Sequence, residues 1–313
     1  MTNYIKKDIR TLSVKDLKVF FESNNIETYR ANQIYEWLWV KGVSDFNLMT
    51  NLSIDFRKFL QKYFTINNIK VESIQKSIDG TIKNAVKLYD NKIVESVLIP
   101  TKNRITACIS SQVGCSLNCK FCATSKLKRL RNLNVDEIFD QVKFIDNQSK
   151  SFYNRPITNI VYMGMGEPLM NYENVIKSIE KITSKSGLGF SPRRITVSSV
   201  GFPKFIKKMA DQKIKFNLAI SLHSAIQSVR EFLMPFSNKI LIEDLIDSLR
   251  YWINIKKSII TFEYIVFDGI NDSEKDIIEL IKICKKIPSK VNLIQYNSIN
   301  DDNFRNASIK SIN

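Results

Sequence analysis

Three of the five cysteines in this 313-residue chain fall within eight positions, Cys115, Cys119 and Cys122 in GCSLNCKFCATSKLKRL. An odd number of clustered thiols argues against a disulfide framework and for metal or redox chemistry. A zinc site wants four ligands, usually a Cys-x2-Cys pair with a second pair elsewhere, and no second pair exists here. Three thiolates suit a 4Fe-4S cluster better, because soft sulfur matches iron–sulfur chemistry and the fourth iron stays open to an external ligand.

Such a loop needs a scaffold. From Arg104 onward the sequence repeats strand, loop and helix, with strands expected near 104–111, 158–163, 193–198, 215–221, 259–267 and 290–296 and amphipathic helices such as VDEIFDQVKFIDNQ and LIEDLIDSLRYWI between them. This alternation predicts an α/β fold with parallel strands, an open partial (β/α)6 barrel. Loops after the C-terminal strand ends carry the chemistry of such folds. Gly114, Gly164, Gly166, Gly201 and Gly269, of nine glycines in all, fall in those loops, and polar Ser198, Ser221, His223 and Asn297 recur beside them. His223, the chain's single histidine, is either a core imidazole satisfied by backbone or a group that touches a ligand.

The preceding residues read differently. Apolar spacing of three and four predicts helices over 14–62, whereas alternation over 68–100 with Asp79-Gly80 as a turn predicts a hairpin. The expected division is a helical accessory domain over 1–66, a β-hairpin extension over 67–103 and a core over 104–313. A formal net charge of +16 favours a polyanionic partner, nucleic acid first, although a Lys-, Ile- and Asn-rich vocabulary alone also produces such a charge. The run Lys126 to Arg131 beside the cysteines, with Arg30, Lys41 and Arg57 in the helical domain, supplies the expected phosphate contacts. The N-terminus lacks a signal-like apolar run and no stretch of about 18 uncharged apolar residues occurs, so the expectation is a cytoplasmic protein with no membrane partner.

The spacing Cys-x3-Cys-x2-Cys, with Phe121 before the last cysteine, resembles the radical S-adenosylmethionine (SAM) signature. Residues from about 14 to 300 resemble the radical SAM adenine-C2 methyltransferases of 23S rRNA and certain tRNAs, the RlmN family. YRANQIYEWLWVKGVSDFNLMTNLS is similar to that family's accessory domain. VESVLIP, CISSQVGCSLNCKFCAT, RNL, YMGMGEPLMNYENV, RRITVSSVG, AISLHS, LMPFSNK, ITFEYIVFDGINDS and KVNLIQYN follow its blocks in order. The resemblance implies two cofactors, a 4Fe-4S cluster on Cys115, Cys119 and Cys122, and SAM. It places Gly166 and Glu167 at the SAM amino group and methionine moiety and Ser198 at the carboxylate or ribose. Ser221, Leu222 and His223 fall at the ribose and adenine, and Asn297 at the last edge of the cofactor.

The resemblance also supplies a reaction. Adenine C2 is electron-poor, so the electrophilic SAM methyl finds no nucleophile there, whereas a carbon radical adds to it. In the family a C-terminal cysteine takes a methyl from one SAM, and the deoxyadenosyl radical from a second SAM removes a hydrogen from it. The methylene radical then joins C2, and a resolving cysteine forms a disulfide as the adduct breaks. By position Cys108 matches the resolving cysteine and Glu95 the proton acceptor; as unspecialised residues they would be a buried strand cysteine and a solvated strand glutamate. A reductant such as flavodoxin or ferredoxin and a monomeric state complete the expected picture. Residues 298–313 contain no cysteine, and the family's final helix, strand and cysteine loop are expected to be missing. Cys284 is expected to be a core or helix-surface thiol. The sequence therefore predicts SAM cleavage with methyl transfer in question, the alternative being a remnant that binds SAM, cluster and RNA without transfer.

Overall fold

The computed structural model describes residues 6–212, 215–299, 303–308 and 312. Nine strands form one sheet whose spatial order is the order of the chain. They are β1 (Lys70–Lys76), β2 (Ile82–Lys87), β3 (Ile93–Pro100), β4 (Ile105–Cys108), β5 (Asn159–Tyr162), β6 (Ile195–Ser199), β7 (Asn217–Ser221), β8 (Ile260–Ile265) and β9 (Ser289–Ile294). From β4 to β9 every neighbouring pair is parallel, the expected six-stranded partial barrel.

The extension departs from the expected hairpin. β1, β2 and β3 form a three-stranded antiparallel meander, and β3 then pairs antiparallel with β4, so the extension continues the barrel sheet. Alternation marked the strands, but an unpaired edge is not visible in a sequence. The turn after Asp79 is present, with Thr81 N–H donating to Asp79 Oδ1 at 2.9 Å.

Three helices, α1 (Val14–Glu22), α2 (Arg30–Glu36) and α3 (Ile54–Tyr63), build the N-terminal region. Ser13 starts α1 with a capping box closed by Asp16, as the sequence Ser-x-x-Asp allows. This region docks on α4 (Val135–Tyr153), which crosses from β4 to β5. Trp39 meets Phe139 edge-on at 5.1 Å, and Lys143 Nζ donates to Gly42 O at 3.0 Å. Arg10 reaches across to Asp140 at 2.9 and 2.8 Å and to Asp136 at 3.2 Å.

The remaining helices, α5 (Tyr172–Thr183), α6 (Pro203–Asp211), α7 (Gln227–Leu233), α8 (Ile242–Lys256) and α9 (Glu274–Lys286), alternate with the strands. A continuous apolar core includes Ile160, Val197, Leu218 and Phe262 of the strands and Ile138, Ile179 and Trp252 of the helices. Inside the barrel the character changes: Thr106, Asn159, Thr196, Asn217 and Thr261 line a cavity of about 820 Å³. Among the described residues no helix is long and apolar enough to cross a membrane.

Candidate active site

The cysteine loop is built from β4 outward. Gln112–Val113 pairs antiparallel with Arg131–Asn132, which closes residues 114–130 into a compact loop. Gly114 takes φ +74°, where a Cβ would stand 2.3 Å from Lys128 O, so only glycine fits this closure. Ser125 Oγ donates to Cys122 O at 2.7 Å and also to Cys119 O, which fixes the turn between two of the thiols. Phe121 packs edge-on against His223 at 4.8 Å and tilts against Phe267 at 5.6 Å, anchoring the loop to the barrel rim. Lys120 N–H donates to Leu233 O at 3.0 Å, which straps the same loop to the end of α7.

The loop after β5 carries GMGEP. Gly166 sits at φ +93° with space for no side chain, because a Cβ would lie 2.4 Å from Gln112 Cβ. Glu167 is buried, and its carboxylate accepts N–H groups of Leu169 at 2.9 Å and Val200 at 3.0 Å. The Ser199 hydroxyl is its third partner. All three partners are neutral, and burial pushes the carboxyl up to about 7. An acid held this way suits a ligand that brings its own positive or N–H-rich group.

Cys115, Cys119, Cys122, Gly166, Glu167, Ser198, Ser221 and His223 line one cavity of about 230 Å³. Leu222 is placed differently, buried beside this lining instead of within it, because neighbouring positions at a strand end point apart. Asn297 lies exposed beyond β9, outside the lining, although its neighbour Tyr296 is pinned through backbone hydrogen bonds to Asn306 at 2.6 and 2.9 Å. His223 satisfies both of its expected readings. Its Nδ1 accepts the Ile265 N–H at 3.1 Å, and its ring also faces the cavity. Burial and nearby Arg230 hold the imidazole down at about 3, so it is neutral with the remaining proton on Nε2.

Glu95 and Cys108 lie elsewhere on the sheet. Ile99 of β3 and Thr106 of β4 are register partners and both face the barrel lumen, so their neighbours two residues on, Val97 and Cys108, share that concave face. Glu95 follows on the same face, exposed and ion-paired with Lys83 at 3.1 Å. Cys108 is buried, and burial pushes its thiol up to about 12. All five cysteines are free thiols, Cys284 half-buried on α9. Met163 and Glu263 line both the rim cavity and the lumen, so the two spaces share walls.

The donor set fits an iron–sulfur cluster. Among the described residues no three Cys, His, Asp or Glu side chains converge as ligands of a single ion would. A cubane places each thiolate on a different iron, so its cysteines ring a cavity instead of meeting at a point. Burial raises the Cys115 and Cys119 thiols, and each neighbouring sulfur raises Cys119 further. Metal binding replaces those protons and removes that penalty.

Several residues of the site were not found from sequence. Gln112, fully buried, holds Glu167 N–H at 2.9 Å and Asn132 Oδ1 at 2.8 Å. Asn271 holds His223 O at 2.6 Å and Phe267 N–H at 2.7 Å. Glu263 accepts Asn292 Nδ2 at 2.7 Å at the cavity wall. Arg230 lies fully buried on α7. A sequence signal existed for Arg230 alone: it shares a helix face with Leu233 and Met234, where a charge is out of place. Arg131 is a correction within the basic run. Its guanidinium is committed to Asp90 at 2.8 and 2.9 Å and to Glu137 at 2.7 and 2.8 Å, which leaves it no free face for phosphate.

Residues 7–66 match the family model described as Ribosomal RNA large subunit methyltransferase N-terminal domain, and residues 109–281 match that of the Radical SAM superfamily. A protein of Flavobacterium psychrophilum named probable dual-specificity RNA methyltransferase RlmN is 57% identical, covering 98% of this chain and 89% of the relative. The protein of Geotalea uraniireducens named dual-specificity RNA methyltransferase RlmN is 38% identical over 98% of this chain and 88% of its own length. Among solved structures, a radical SAM methyltransferase from Sphaerobacter thermophilus superposes with a TM-score of 0.91 at 32% identity, covering 98% of this chain and 90% of that one.

Proposed function

Because the chain belongs to the RlmN family of radical SAM RNA methyltransferases, we propose that it adds a methyl group to C2 of adenine in 23S rRNA and in tRNA. The observation that carries this reading is the single cavity that collects three thiols, Glu167, Ser198, Ser221 and His223 at the C-terminal rim of the barrel. In the alternative reading the chain only cleaves SAM. Identity of 57% across 98% of the chain to a named methyltransferase supports transfer over that alternative.

Cys115, Cys119 and Cys122 would hold the cluster, which when bound supplies the electron that splits SAM into methionine and a 5'-deoxyadenosyl radical. Glu167 would accept N–H from the SAM amino group beside Gly166, where a side chain would block the approach. Ser198 would meet the carboxylate or ribose, Ser221 and His223 the ribose and adenine. With Nδ1 committed to Ile265 N–H, His223 has only its Nε2 proton to offer a ligand. Leu222 backs this wall, and Asn297 closes the last edge from the exposed rim. Phe121, Met234 and Leu117 give the cavity apolar walls that exclude water from a reactive radical.

Cys108 and Glu95 face the concave side of the sheet, Cys108 as the resolving thiol and Glu95 as the proton acceptor. Burial raises the Cys108 thiol, which therefore rests protonated. Glu95 stands exposed to water, 3.1 Å from Lys83. A low-potential reductant such as flavodoxin or ferredoxin supplies the electron, and the protein works as a cytoplasmic monomer. Deleting the gene should remove 2-methyladenosine from cellular 23S rRNA, read by mass spectrometry, and restoring it should bring the modification back; unchanged 2-methyladenosine overturns the reading.

A further inference from the structure

Arg230 is fully buried, yet among the described residues only one of its guanidinium nitrogens is occupied: Nη2 donates to Val200 O at 2.6 Å, while Nε and Nη1 meet no acceptor there. Buried guanidinium groups are normally met by an anion, often through two parallel hydrogen bonds. A buried charge left without one costs several kcal/mol. Glu231, next to it on the same helix, attracts it but makes no hydrogen bond to it and is engaged by Gln227 Nε2 at 2.7 Å. Burial and the guanidinium together hold His223 neutral, so it supplies no negative charge.

Arg230 backs the wall of the thiol cavity: Val200, whose carbonyl holds its Nη2, lines that cavity together with Cys115, Cys119 and Cys122. The surrounding frame fixes this relation. The residue after Cys119 is strapped to α7 through Lys120 N–H and Leu233 O at 3.0 Å, and Val200, which holds Arg230, also donates to Glu167 at 3.0 Å. A bound cluster would bring thiolate charge into this cavity, behind whose Val200 wall the guanidinium lies.

We propose that Arg230 is the fixed counter-charge of the iron–sulfur cluster and that it raises the cluster's reduction potential into the range of the electron donor. Three thiolates around a 4Fe-4S core of charge 2+ carry a net single negative charge, and one-electron reduction doubles it. A fixed cation therefore stabilises the reduced form more than the oxidised form. The inference rests on the cluster assignment made above, and the experiment separates the two.

Wild type, R230K, R230Q and R230M are reconstituted anaerobically, assayed for iron and sulfide, and titrated potentiometrically without SAM, with the reduced cluster followed by electron paramagnetic resonance. The expected result is a midpoint near the wild-type value for R230K and a clearly more negative one for R230Q and R230M. Loss of the cluster in both neutral variants with retention in R230K supports the same charge role. Full cluster content with an unchanged midpoint in R230Q and R230M overturns the proposal. So does an equal shift or equal cluster loss in R230K, which marks a role of shape. A wild-type protein that takes up no 4Fe-4S cluster would instead remove the functional reading beneath it. Omitting SAM ensures that a potential shift cannot arise from a contact with the cofactor's carboxylate.

Discussion

The backbone N–H of Glu167 donates to Gln112 Oε1 at 2.9 Å, so the GMGEP loop hangs from the strand that enters the cysteine loop. Gln112 spends its other end on Asn132 at 2.8 Å, where the cysteine loop returns. One amide thus sets the spacing between the two halves of the cavity. Q112A would leave buried polar groups on both sides without partners, each at about 1–3 kcal/mol. We expect lower stability in urea and weaker SAM binding by calorimetry in the same variant; wild-type SAM affinity in Q112A would detach the two loops energetically.

Glu167 itself gives a cleaner test of cofactor binding. E167Q keeps the shape of the side chain but removes the negative charge that neutral neighbours leave uncompensated. A hydrogen bond to a charged group contributes about 1.5–3 kcal/mol, so SAM dissociation should rise by roughly ten- to a hundredfold. Cluster content should stay at the wild-type level because no thiol has moved. Equal SAM affinity in E167Q, measured by equilibrium dialysis, would place the amino group elsewhere.

The parallel half of the fold is legible because the buried strands are short apolar runs, several of them followed by a glycine-bearing loop, as in ITVSSVG and YIVFDG. What the sequence hides is pairing. Nothing in VESVLIP tells that its edge is bonded to the first barrel strand, and the expected hairpin became a continuation of the sheet. The site shows the same division. Chemistry-bearing types at rim loops, such as Cys119 and Glu167, declare themselves by type, whereas Gln112 and Asn271 are ordinary amides until the fold buries them. Arg131 looked like part of a solvated basic run because one partner, Asp90, stands 41 residues upstream and the other, Glu137, faces it only once the loop closes onto the helix.

Arg10 joins the N-terminal region to the core with three carboxylates, Asp8, Asp136 and Asp140, around one guanidinium. Burial, opposed by Arg10 and reinforced by the neighbouring carboxylates, pushes Asp136 up to about 7. A carboxyl raised in this way contributes fully in acid, below its ordinary value, and loses that contribution as pH rises through about 7. Melting temperature should therefore fall as pH rises from the ordinary carboxyl value of 3.8 to about 7 and level off above it, by roughly 2–4 °C per kcal/mol lost in a chain of this size. D136N, which keeps an acceptor for Arg10 without the ionisation, should flatten that part of the profile. An unchanged slope in D136N would locate the pH dependence elsewhere.

Phosphate contact is the remaining claim, and the structure narrows where to test it. Lys128 and Arg129 are exposed on the loop that carries the cysteines, whereas Arg131 is committed to its carboxylates. Arg30 is half-buried and bonds Gln33 at 2.9 Å, and Arg57 bonds Asn47 O at 2.8 Å. Exposed Lys41 lies 3.6 Å over the Trp37 ring. The loop pair is thus the clearest surface for RNA. Each phosphate contact releases counterions and steepens the salt dependence by about 0.7–0.9 in log–log slope. The double variant K128E/R129E should therefore bind rRNA fragments more weakly at low salt, with a slope shallower by about 1.4–1.8 if both residues touch phosphate. R131Q is the control that separates charge from structure: it should lower thermal stability, since a buried acid loses its partner, with a smaller change of slope. Filter-binding titrations over a range of salt concentrations decide it, and an unchanged slope in K128E/R129E would take this loop out of the RNA interface.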